Sequence, residues 1–444
     1  MKVGLIGSGG REHAIAEALV KNSQRDHIFV FGNSRNYGIE RIAEVYGIGM
    51  LTDISAMVSF FKENLVDYVV IGPEQPLTHG VADALREENI PVLGPNKIQA
   101  QLEGSKTFMR NLMKEQIGWG SLRWQKIDST AEARLFIEKI GKVVIKPIGL
   151  TGGKGVQVMG EHLHFIEETL SLIDQIIQKD GVVLLEERLI GEEFSRIALV
   201  SDNAIIPFPI AQDFKYAFEG DTGGMTGGMG SYTMANGRMP FLDDADIEQA
   251  DQLMAEVVGA LNKISGVPYR GFLYGQFMAT RDGITIIEFN VRLGDPEAIN
   301  VMSLFDCDVA QVLNQAALGD LDPKGVVFEE LASLCKYLVP SGYPEKNQKD
   351  LIFKFDENQV TGAGFSVLYS SVEESGSSFR TLGSRTLAIL GKGEKPGQLS
   401  NDMEDLLKII EPPVLRHRRD IGSEETIKRK TEHLMKLRLK SEHV

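Results

Sequence analysis

The sequence predicts a multidomain protein of the α/β and α+β classes, with a parallel α/β domain at its amino terminus. Its 444 residues are enough for two to four domains. Over about the first 100 residues, short β-rich runs alternate with helical patterns, which is typical of parallel βαβ units. From about residue 103 the pattern changes to mixed strands and long helices with two glycine-rich loops, and a third mixed region begins at about residue 331.

The first region contains four predicted parallel strands. They are the β-rich runs 3–6, 27–31, 68–71 and 91–93. Turns at residues 7–13 and 72–77 follow the first and third of these strands. Because open α/β sheets bind ligands at the carboxyl ends of parallel strands, both turns are candidate parts of a binding site.

The first turn is a candidate anion site because it enters a helix, whose N–H groups and dipole favour negative charge. Gly7 and Gly9 fit the start of a dinucleotide fingerprint, but Glu12 stands at the third glycine position. The second strand leads into Asn33, without the acid that would bind a ribose hydroxyl. NAD binding is therefore disfavoured. Arg11 can instead pair with a phosphate, although a surface arginine near a helix start is the alternative.

A lysine and a glycine-rich loop mark a candidate nucleotide site in the second region. Lys146 ends an apolar strand, and residues 149–155 follow it. A glycine-rich hairpin beside a buried lysine can cover and clamp nucleotide phosphates. It is not a Walker A loop, because Lys154 is followed by Gly155 and not by Ser or Thr. A later strand at residues 184–189 can offer backbone groups to an adenine.

A second glycine-rich segment, residues 220–230, is too rich in glycine for a regular element and too long for a simple turn. Loops of that kind are usually functional or disordered. Upstream of it, Asp213 and Lys215 place an acid and a base two residues apart. Such a pair can grip the ammonium and the carboxylate of an amino acid.

The densest group of polar residues follows the apolar strand that ends near Asn290. Period-2 alternation puts Glu288 and Asn290 on one face, so a carboxylate and an amide oxygen can share a hard cation such as Mg²⁺. Arg292 continues that face and suits a carboxylate or phosphate held beside the metal. A solvated charge cluster at a strand end is the alternative, and the density of polar groups favours a site.

Gln276 interrupts the apolar run 272–279, and we expect it to join the metal site. If residues 281–283 form a three-residue hairpin loop, Gln276 lies directly opposite Glu288 on the same face. A two-residue turn that includes Asp282 and Gly283 is the stronger hairpin signal and would turn Gln276 away. The first register is favoured because a buried amide needs a partner. An amide bonded only to neighbouring backbone is the alternative.

The composition excludes several classes of function. The formal net charge of −15 opposes general binding to nucleic acid or to membrane surfaces. With only two cysteines, neither a disulfide framework nor a cysteine metal site is expected. No apolar run is long enough to span a bilayer and no signal peptide precedes the first strand, so we expect a protein of the reducing cytoplasm.

With these residues assembled, the chain resembles the glycinamide ribonucleotide synthetases, also called phosphoribosylamine–glycine ligases, of the ATP-grasp superfamily. The resemblance runs nearly end to end. Its most specific motifs are residues 9–14, 72–74, 102–106, 226–230, 292–297 and 417–422. Residues 146–155 and 274–276 are most similar to the archaeal branch.

The resemblance implies three domains. They are a parallel α/β pre-ATP-grasp domain at 1–102, an ATP-grasp domain at 103–330 with a mobile lid at about 122–192, and a mixed α+β domain at 331–444. The implied reaction joins glycine to 5-phosphoribosylamine in purine biosynthesis. It consumes ATP and yields glycinamide ribonucleotide, ADP and phosphate through glycyl phosphate. Mg²⁺ or Mn²⁺ is the implied cofactor, and a monomer or weak homodimer is expected.

The resemblance also assigns roles to residues of this chain. The implied catalytic residues are Asp213, Arg292 and Asp295. The implied ATP-binding residues are Lys106, Lys146, Gly152, Gly153, Lys154, Glu186, Glu187, Leu189 and Glu193. The residues implied for the other substrates are Gly9, Gly10, Arg11, Glu74, Lys215, Gly227, Gly228, Met229 and Arg418. The implied metal ligands are Gln276, Glu288 and Asn290.

Two positions near the implied glycine site depart from the family pattern. Phe214 stands where the family usually has histidine, and residues 223–225 replace the usual Gly-Pro-Asn. Another ATP-grasp carboxylate–amine ligase or carboxylase with a different acceptor is therefore one alternative. A nucleotide-binding regulator without turnover is another, and the intact Glu288, Asn290 and Arg292 argue against it.

Overall fold

The structure is a computed structural model that describes residues 1–21, 26–148, 156–346 and 348–439. One large apolar core runs through the amino-terminal sheet and a ten-stranded central sheet. A second, smaller core is formed by apolar side chains of the sequence segment from Ile127 to Leu185. No helix in the described ranges is both long and apolar enough to cross a membrane.

The amino-terminal sheet is parallel. Its strands are β1 (Lys2–Ile6), β2 (His27–Gly32), β3 (Ala43–Ile48), β4 (Tyr68–Ile71) and β5 (Val92–Leu93), in the order β3-β2-β1-β4-β5. Its helices are α1 (Gly10–Lys21), α2 (Tyr37–Glu40), α3 (Ile54–Glu63), α4 (Glu74–His79) and α5 (Val81–Glu87). The four predicted strands are confirmed, and β3 is a largely exposed edge strand that the apolar pattern does not mark. Because β2 and β4 flank β1 on opposite sides, the turns after β1 and β4 lie together at a topological switch point.

Residues 124–187 form a small subdomain with its own antiparallel sheet. It follows α6 (Gln101–Gly104), α7 (Lys106–Leu112) and a π-helical turn (Met113–Ile117). Its strands are β6 (Trp124–Ile127), β7 (Val143–Pro147), β8 (Gln157–Val158) and β9 (Val183–Glu187), in the order β6-β9-β7-β8. Its helices are α8 (Thr130–Ile140) and α9 (Ile166–Asp180). Apolar side chains of these helices and strands form the smaller core.

The remaining chain builds the central sheet and its surroundings. The next strands are β10 (Gly191–Ser201), β11 (Ala204–Pro207), β12 (Ala211–Asp213), β13 (Tyr216–Phe218), β14 (Thr222–Met225), β15 (Gly230–Thr233), β16 (Arg270–Thr280) and β17 (Gly283–Asn290). The helices of this part are α10 (Asp244–Ser265), α11 (Glu297–Ser303) and α12 (Val309–Leu318). A short 3-10 helix (Pro323–Gly325) follows them.

The carboxyl-terminal part adds four strands to the same sheet and forms a separate three-stranded sheet. Its strands are β18 (Ala332–Pro340), β19 (Lys349–Phe353), β20 (Ser366–Tyr369), β21 (Val372–Ser375), β22 (Ser378–Leu382), β23 (Leu387–Gly393) and β24 (Leu415–Arg416). Its helices are α13 (Glu357–Gly362), α14 (Pro396–Ile410) and α15 (Glu424–Leu439). The separate sheet has the order β19-β22-β21. The central sheet runs β17-β16-β10-β12-β15-β18-β23-β20, with β11 beside β10 and β24 beside β18. It therefore continues across residue 331, because β15 pairs with β18.

Two local predictions are wrong. Residues 220–230 are not a wholly irregular loop, since β14 pairs with β13 and Gly230 opens β15. The hairpin between β16 and β17 has a two-residue turn, because Thr280 pairs with Gly283. The expected pairing of Gln276 with Glu288 is nevertheless confirmed, because a bulge shifts the register by one residue between Gln276 and Phe277.

Candidate active site

The neighbouring strands β10, β12, β16 and β17, with the segment that follows β12, direct polar side chains into one space. This space is called the polar basin here, and it is formed by Glu193, Asp213, Lys215, Gln276 and Glu288. Strand pairing sets Gln276 between Ser195 of β10 and Glu288 of β17. Residues that pair directly across antiparallel strands project from the same face. Asp213 joins them because it lies two residues after Ala211, which pairs with Ser195.

The polar basin contains an acidic side chain, Asp213, and a basic side chain, Lys215. Both also contact neighbouring polar groups. The ammonium of Lys215 lies 3.3 Å from Glu193 Oε2 and 3.8 Å from Asp213 Oδ2. The amide Nε2 of Gln276 donates to Glu193 Oε2 at 2.9 Å and to Asp213 Oδ1 at 3.2 Å. Burial raises the pKa of Asp213 to about 7, with Lys215 opposing the rise and Glu297 adding to it. A half-buried cation beside several carboxylates suits a ligand that carries both charges, such as an amino acid.

Glu288 is the carboxylate best suited to a divalent cation. It has no hydrogen-bond donor among the described residues. Burial acts to raise the pKa of Glu288, but Lys215, Lys146 and Arg292 outweigh it and lower the pKa, so the group stays ionised. Asn290 Oδ1 receives one bond, from Arg292 Nη2 at 3.2 Å. An ionised carboxylate next to an amide oxygen fits the oxygen preference of Mg²⁺.

Gln276 is more fully engaged than those two residues. Its Oε1 accepts from the hydroxyls of Ser195 and Tyr274, while its Nε2 donates to two carboxylates. Its predicted role at a metal stays a prediction. In the described ranges no group of three or more His, Cys, Asp or Glu side chains is arranged to hold a metal. A cation here would thus also need amide oxygens, phosphate or water.

Two lysines border the basin on the side of the small subdomain. Lys146 Nζ lies 2.6 Å from Glu186 Oε2, and Lys106 Nζ donates to the carbonyl of Pro147 at 3.0 Å. Burial and the charge of Lys146 lower the pKa of Lys106, while Glu288 opposes that shift. The predicted phosphate lysines are therefore brought together, and both lie within electrostatic range of Glu288.

The other residues predicted to bind ATP are placed less directly. Glu187 uses its carboxylate to accept from the backbone N–H and the Nε of Arg123, at 2.8 and 2.5 Å. Leu189 follows two residues after the end of β9. The glycine-rich loop 149–155, with Gly152, Gly153 and Lys154, lies outside the described residues.

The first turn is closed by its own glutamate. Glu12 Oε2 accepts from the N–H of Gly9 at 2.6 Å, and its other oxygen pairs with Arg11 Nε at 2.6 Å. The carboxylate thus takes a backbone donor that a dinucleotide pyrophosphate would need. Arg11 also donates to the carbonyl of Leu293 at 3.0 Å, which ties α1 to the segment after β17. At Gly10 a Cβ would collide with the hydroxyl of Tyr337, so only glycine fits there.

Arg292 lies between Glu74 of the second turn and the carboxylate of Glu288. Its Nη2 pairs with Glu103 Oε1 at 2.8 Å, and its Nε lies 3.7 Å from Glu74 Oε2. That Nε is buried without a hydrogen-bond partner in the described part of the chain. Burial acts to raise the pKa of Glu74, but Arg292 and Arg11 outweigh it and lower the pKa. A buried donor without an acceptor, beside ionised Glu74 and Glu288, marks a place for a ligand anion.

Asp295 is held by two residues of the carboxyl-terminal part. Tyr337 donates to Asp295 Oδ1 at 2.7 Å, and Arg385 Nη2 pairs with Oδ2 at 3.0 Å. Arg385 Nη1 also donates to the carbonyls of Gly227 and Gly228, at 2.8 and 3.1 Å. Gly228 has a φ of +116°, and a Cβ there would meet Pro296 at 2.5 Å. Arg385 therefore joins the 227–228 turn to the loop that carries Asp295.

Family models for phosphoribosylglycinamide synthetase match most of the chain, with the N domain at residues 1–103, the ATP-grasp (A) domain at 104–298 and the C domain at 333–424. The chain belongs to this family. A phosphoribosylamine–glycine ligase of Pyrococcus furiosus is 39% identical over 99% of this chain and 98% of its own length. One of Methanocella arvoryzae is 41% identical over 99% of this chain and 100% of its own length. Both relatives are archaeal, in keeping with the predicted branch.

Solved structures agree with this assignment. A phosphoribosylamine–glycine ligase of Thermotoga maritima superposes with a TM-score of 0.77 at 28% identity, over 95% of this chain and 100% of that one. The ADP complex of an N5-carboxyaminoimidazole ribonucleotide synthetase gives a TM-score of 0.65 at 14% identity, over 91% and 96% of the two chains, and shows a shared fold alone. The predicted fold class and the enzyme class, a ligase of the ATP-grasp family, are confirmed.

Phe214, which stands where the family pattern usually has histidine, packs against two cations. The guanidinium of Arg418 lies 5.0 Å and the ammonium of Lys430 5.4 Å from the centre of the Phe214 ring. A cation over the face of an aromatic ring is attracted to the ring's electron-rich face. Arg418 is fully buried and pairs with Asp221 and Asp420. It therefore lies behind Phe214, and its predicted contact with substrate stays a prediction.

Met229 is also more enclosed than a substrate contact requires. Its side chain is buried. Its backbone N–H donates to the carbonyl of Phe214 at 2.7 Å, and its carbonyl accepts from the backbone N–H of Tyr337 at 2.9 Å. Two residues of this ligase's site, Tyr337 and Arg385, carry no sequence signal, because distant strand pairing brings them in. Glu297 accepts from Ser195 and Tyr274 beside Gln276, and it lies inside the 292–297 motif that could have marked it.

Proposed function

We propose that this chain joins glycine to 5-phosphoribosylamine with ATP, giving glycinamide ribonucleotide, ADP and phosphate in purine biosynthesis. One observation carries the proposal. Lys106 and Lys146, the ionised carboxylate of Glu288 and the acid–base pair of Asp213 and Lys215 converge on one basin. The chain also matches named ligases along its length. These side chains are the groups needed to bring a nucleotide phosphate next to an amino acid.

In the first step, an oxygen of the glycine carboxylate forms a bond to the γ-phosphorus of ATP. The bond from that phosphorus to the bridging oxygen breaks, so that ADP leaves and glycyl phosphate remains. Lys106 and Lys146 would hold the phosphates, and Asp213 and Lys215 would hold the two charged ends of glycine. Glu288 and Asn290, with Gln276 beside them, would hold Mg²⁺ or Mn²⁺, which would neutralise phosphate charge.

In the second step, the nitrogen of phosphoribosylamine attacks the glycyl carbonyl carbon. The bond from that carbon to the phosphate oxygen breaks, and the departing phosphate can take the proton that the nitrogen loses. Phosphoribosylamine would bind in the space between Arg11, Glu74 and the 227–228 turn. Arg385 and Asp295 fix that turn near the start of α1. The Nε of Arg292, which has no hydrogen-bond partner among the described residues, supports an anion between the two substrate sites.

The test is the set of products. Purified protein with ATP and magnesium should release ADP and phosphate only when glycine and freshly generated phosphoribosylamine are both present. Release of AMP and pyrophosphate would contradict an acyl phosphate intermediate. Turnover with another amine or with bicarbonate would support a different ligase or carboxylase. Nucleotide binding without any turnover would support the regulator.

A further inference from the structure

Arg110 is a fully buried arginine at the junction of the small subdomain and the central sheet. It lies on α7, and its side chain is 0% exposed. Its Nε donates to Glu186 Oε1 at 2.7 Å, and its Nη2 donates to the carbonyl of Ile287 at 2.7 Å. Burying a guanidinium is unfavourable unless its donors are bonded. One residue thus bonds a carboxylate of β9 and a carbonyl of β17.

Glu186, the first partner of Arg110, also pairs with Lys146, the lysine predicted to bind nucleotide phosphate. Glu186 accepts from Arg110 with one oxygen and from Lys146 with the other, at 2.7 and 2.6 Å. Burial acts to raise the pKa of Glu186, but Arg110 and Lys146 outweigh it and lower the pKa to about 2. The carboxylate therefore stays charged between two cations. Without Arg110, Glu186 would retain Lys146 alone as a direct side-chain partner among the residues that the structure describes.

The second partner of Arg110, the carbonyl of Ile287, lies next to Glu288, the carboxylate predicted to bind a metal ion. The register of the hairpin passes from Phe277 opposite Ile286 to Gln276 opposite Glu288, so Ile287 is the extra residue of a bulge. If Ile287 instead paired regularly with Gln276, the ladder would place Glu288 opposite Gly275, and Glu288 would project from the other face. The bulge is therefore what turns Glu288 into the polar basin.

Arg110 bonds the bulge itself. Besides the carbonyl of Ile287, its Nη1 donates to the carbonyl of Ile286 at 3.4 Å. β17 is the edge strand of the central sheet, and a bulge interrupts its ladder, so these carbonyls need a donor from outside the sheet. A planar guanidinium can serve them and Glu186 together, whereas an ammonium offers a single point of charge.

We propose that Arg110 is a positioning residue that sets the phosphate-binding Lys146 and the metal-binding Glu288 in register with each other. It does so through Glu186 on one side and the Ile286 and Ile287 carbonyls on the other. Arg110 itself contacts neither nucleotide nor metal. The inference rests on the proposed function, because it assumes that Lys146 and Glu288 serve the same MgATP complex.

The test measures binding and not turnover. Calorimetry with ADP, with and without magnesium and without glycine or phosphoribosylamine, compares the wild-type protein with Arg110→Met and Arg110→Lys. Arg110→Met should weaken MgADP binding and raise the magnesium concentration at half-saturation by about 10- to 100-fold, as loss of groups behind metal ligands does. Arg110→Lys can still pair with Glu186 and should restore metal-free ADP affinity, while the magnesium requirement stays raised.

Arg270→Met is the matched control. Arg270 also bonds one carboxylate, Asp202, and one carbonyl, Ala317, at 2.6 and 3.1 Å, outside the polar basin. It should lower thermal stability without changing the magnesium requirement. A similar change in Arg270→Met, or a folded Arg110→Met with wild-type magnesium and ADP affinities, would overturn the proposal.

If Arg110→Met does not fold, Arg110→Lys decides, because an unchanged magnesium requirement in the folded Lys variant would also overturn it. A wild-type protein that binds MgADP but makes no glycinamide ribonucleotide would refute the proposed function alone. A wild-type protein whose ADP affinity does not depend on magnesium would refute the role of Arg110.

Discussion

The ammonium of Lys146 and the carboxylate of Glu186 form a buried ion pair, with Nζ 2.6 Å from Oε2. The two side chains are 9% and 2% exposed, so water screens the pair only weakly. Because Arg110 holds the other oxygen of Glu186, the carboxylate does not neutralise both cations. The pair therefore fixes the position of Lys146 and leaves net positive charge at the edge of the polar basin.

Lys146→Ala should weaken ATP binding by about 1.5 to 3 kcal/mol, the usual size of a lost hydrogen bond to a charged group. Calorimetry on the folded variant measures the change directly. Lys139→Ala, at an exposed position on α8 of the same subdomain, is the control and should bind ATP as the wild-type protein does. Equal ATP affinity in Lys146→Ala and the wild-type protein would refute the assignment.

Arg385→Lys should raise the KM for phosphoribosylamine and leave ATP affinity unchanged. The guanidinium bonds the carbonyls of Gly227, Gly228 and Asp295 together with the Asp295 carboxylate, and one ammonium cannot replace all four contacts. Steady-state kinetics with each substrate varied in turn separates the two effects. Arg380→Lys, on an arginine whose side chain is 43% exposed, should leave both constants unchanged. A rise confined to the KM for ATP would contradict this role.

Phe214 and Lys430 should be energetically coupled. A cation over an aromatic ring contributes about 0.5 to 2 kcal/mol, depending on how far it is desolvated. A double-mutant cycle with Phe214→Leu and Lys430→Met, read from the free energy of unfolding in denaturant, isolates this term from the pairing of Lys430 with Glu192 and Asp221. Additive effects of the two substitutions would show that the ring and the ammonium do not interact.

Local patterns predicted the parts of the site that depend on local geometry. Alternation along β17 put Glu288 and Asn290 on one face, and the turns after β1 and β4 were expected at the carboxyl ends of parallel strands. Both features follow from spacing within a few residues of each other. The sequence therefore sufficed for them without any knowledge of the distant chain.

The hairpin formed by β16 and β17 shows which features local sequence patterns cannot predict. The predicted three-residue loop is wrong, and the bulge at Ile287 makes up the one-residue difference, so Gln276 still meets Glu288. The carbonyl of Ile287 bonds Arg110, which lies 177 residues away in the sequence. Arg385 likewise reaches Asp295 from a strand connection 90 residues downstream. Such contacts are set by tertiary packing, and no short motif records them.

His417 should make the stability of the protein depend on pH near neutrality. Its Nδ1 pairs with Glu411, its Nε2 lies 3.0 Å from Glu404 Oε1, and Lys336 Nζ lies 2.6 Å from that same oxygen. Burial acts to lower the pKa of His417, but the two carboxylates outweigh it and raise the pKa above its ordinary value. The folded protein thus binds this proton more tightly than the unfolded chain does.

The sign of the effect follows from that shift. Stabilisation by His417 is fully present below the pKa of an unfolded histidine, about 6.5, and is lost as the pH rises through the raised value in the folded state. We expect the free energy of unfolding to fall over that interval in the wild-type protein and to fall less in His417→Gln. His27→Gln serves as the control, because the His27 side chain is 53% exposed. Parallel pH profiles for the wild-type protein and His417→Gln would show that folding does not raise the pKa of His417.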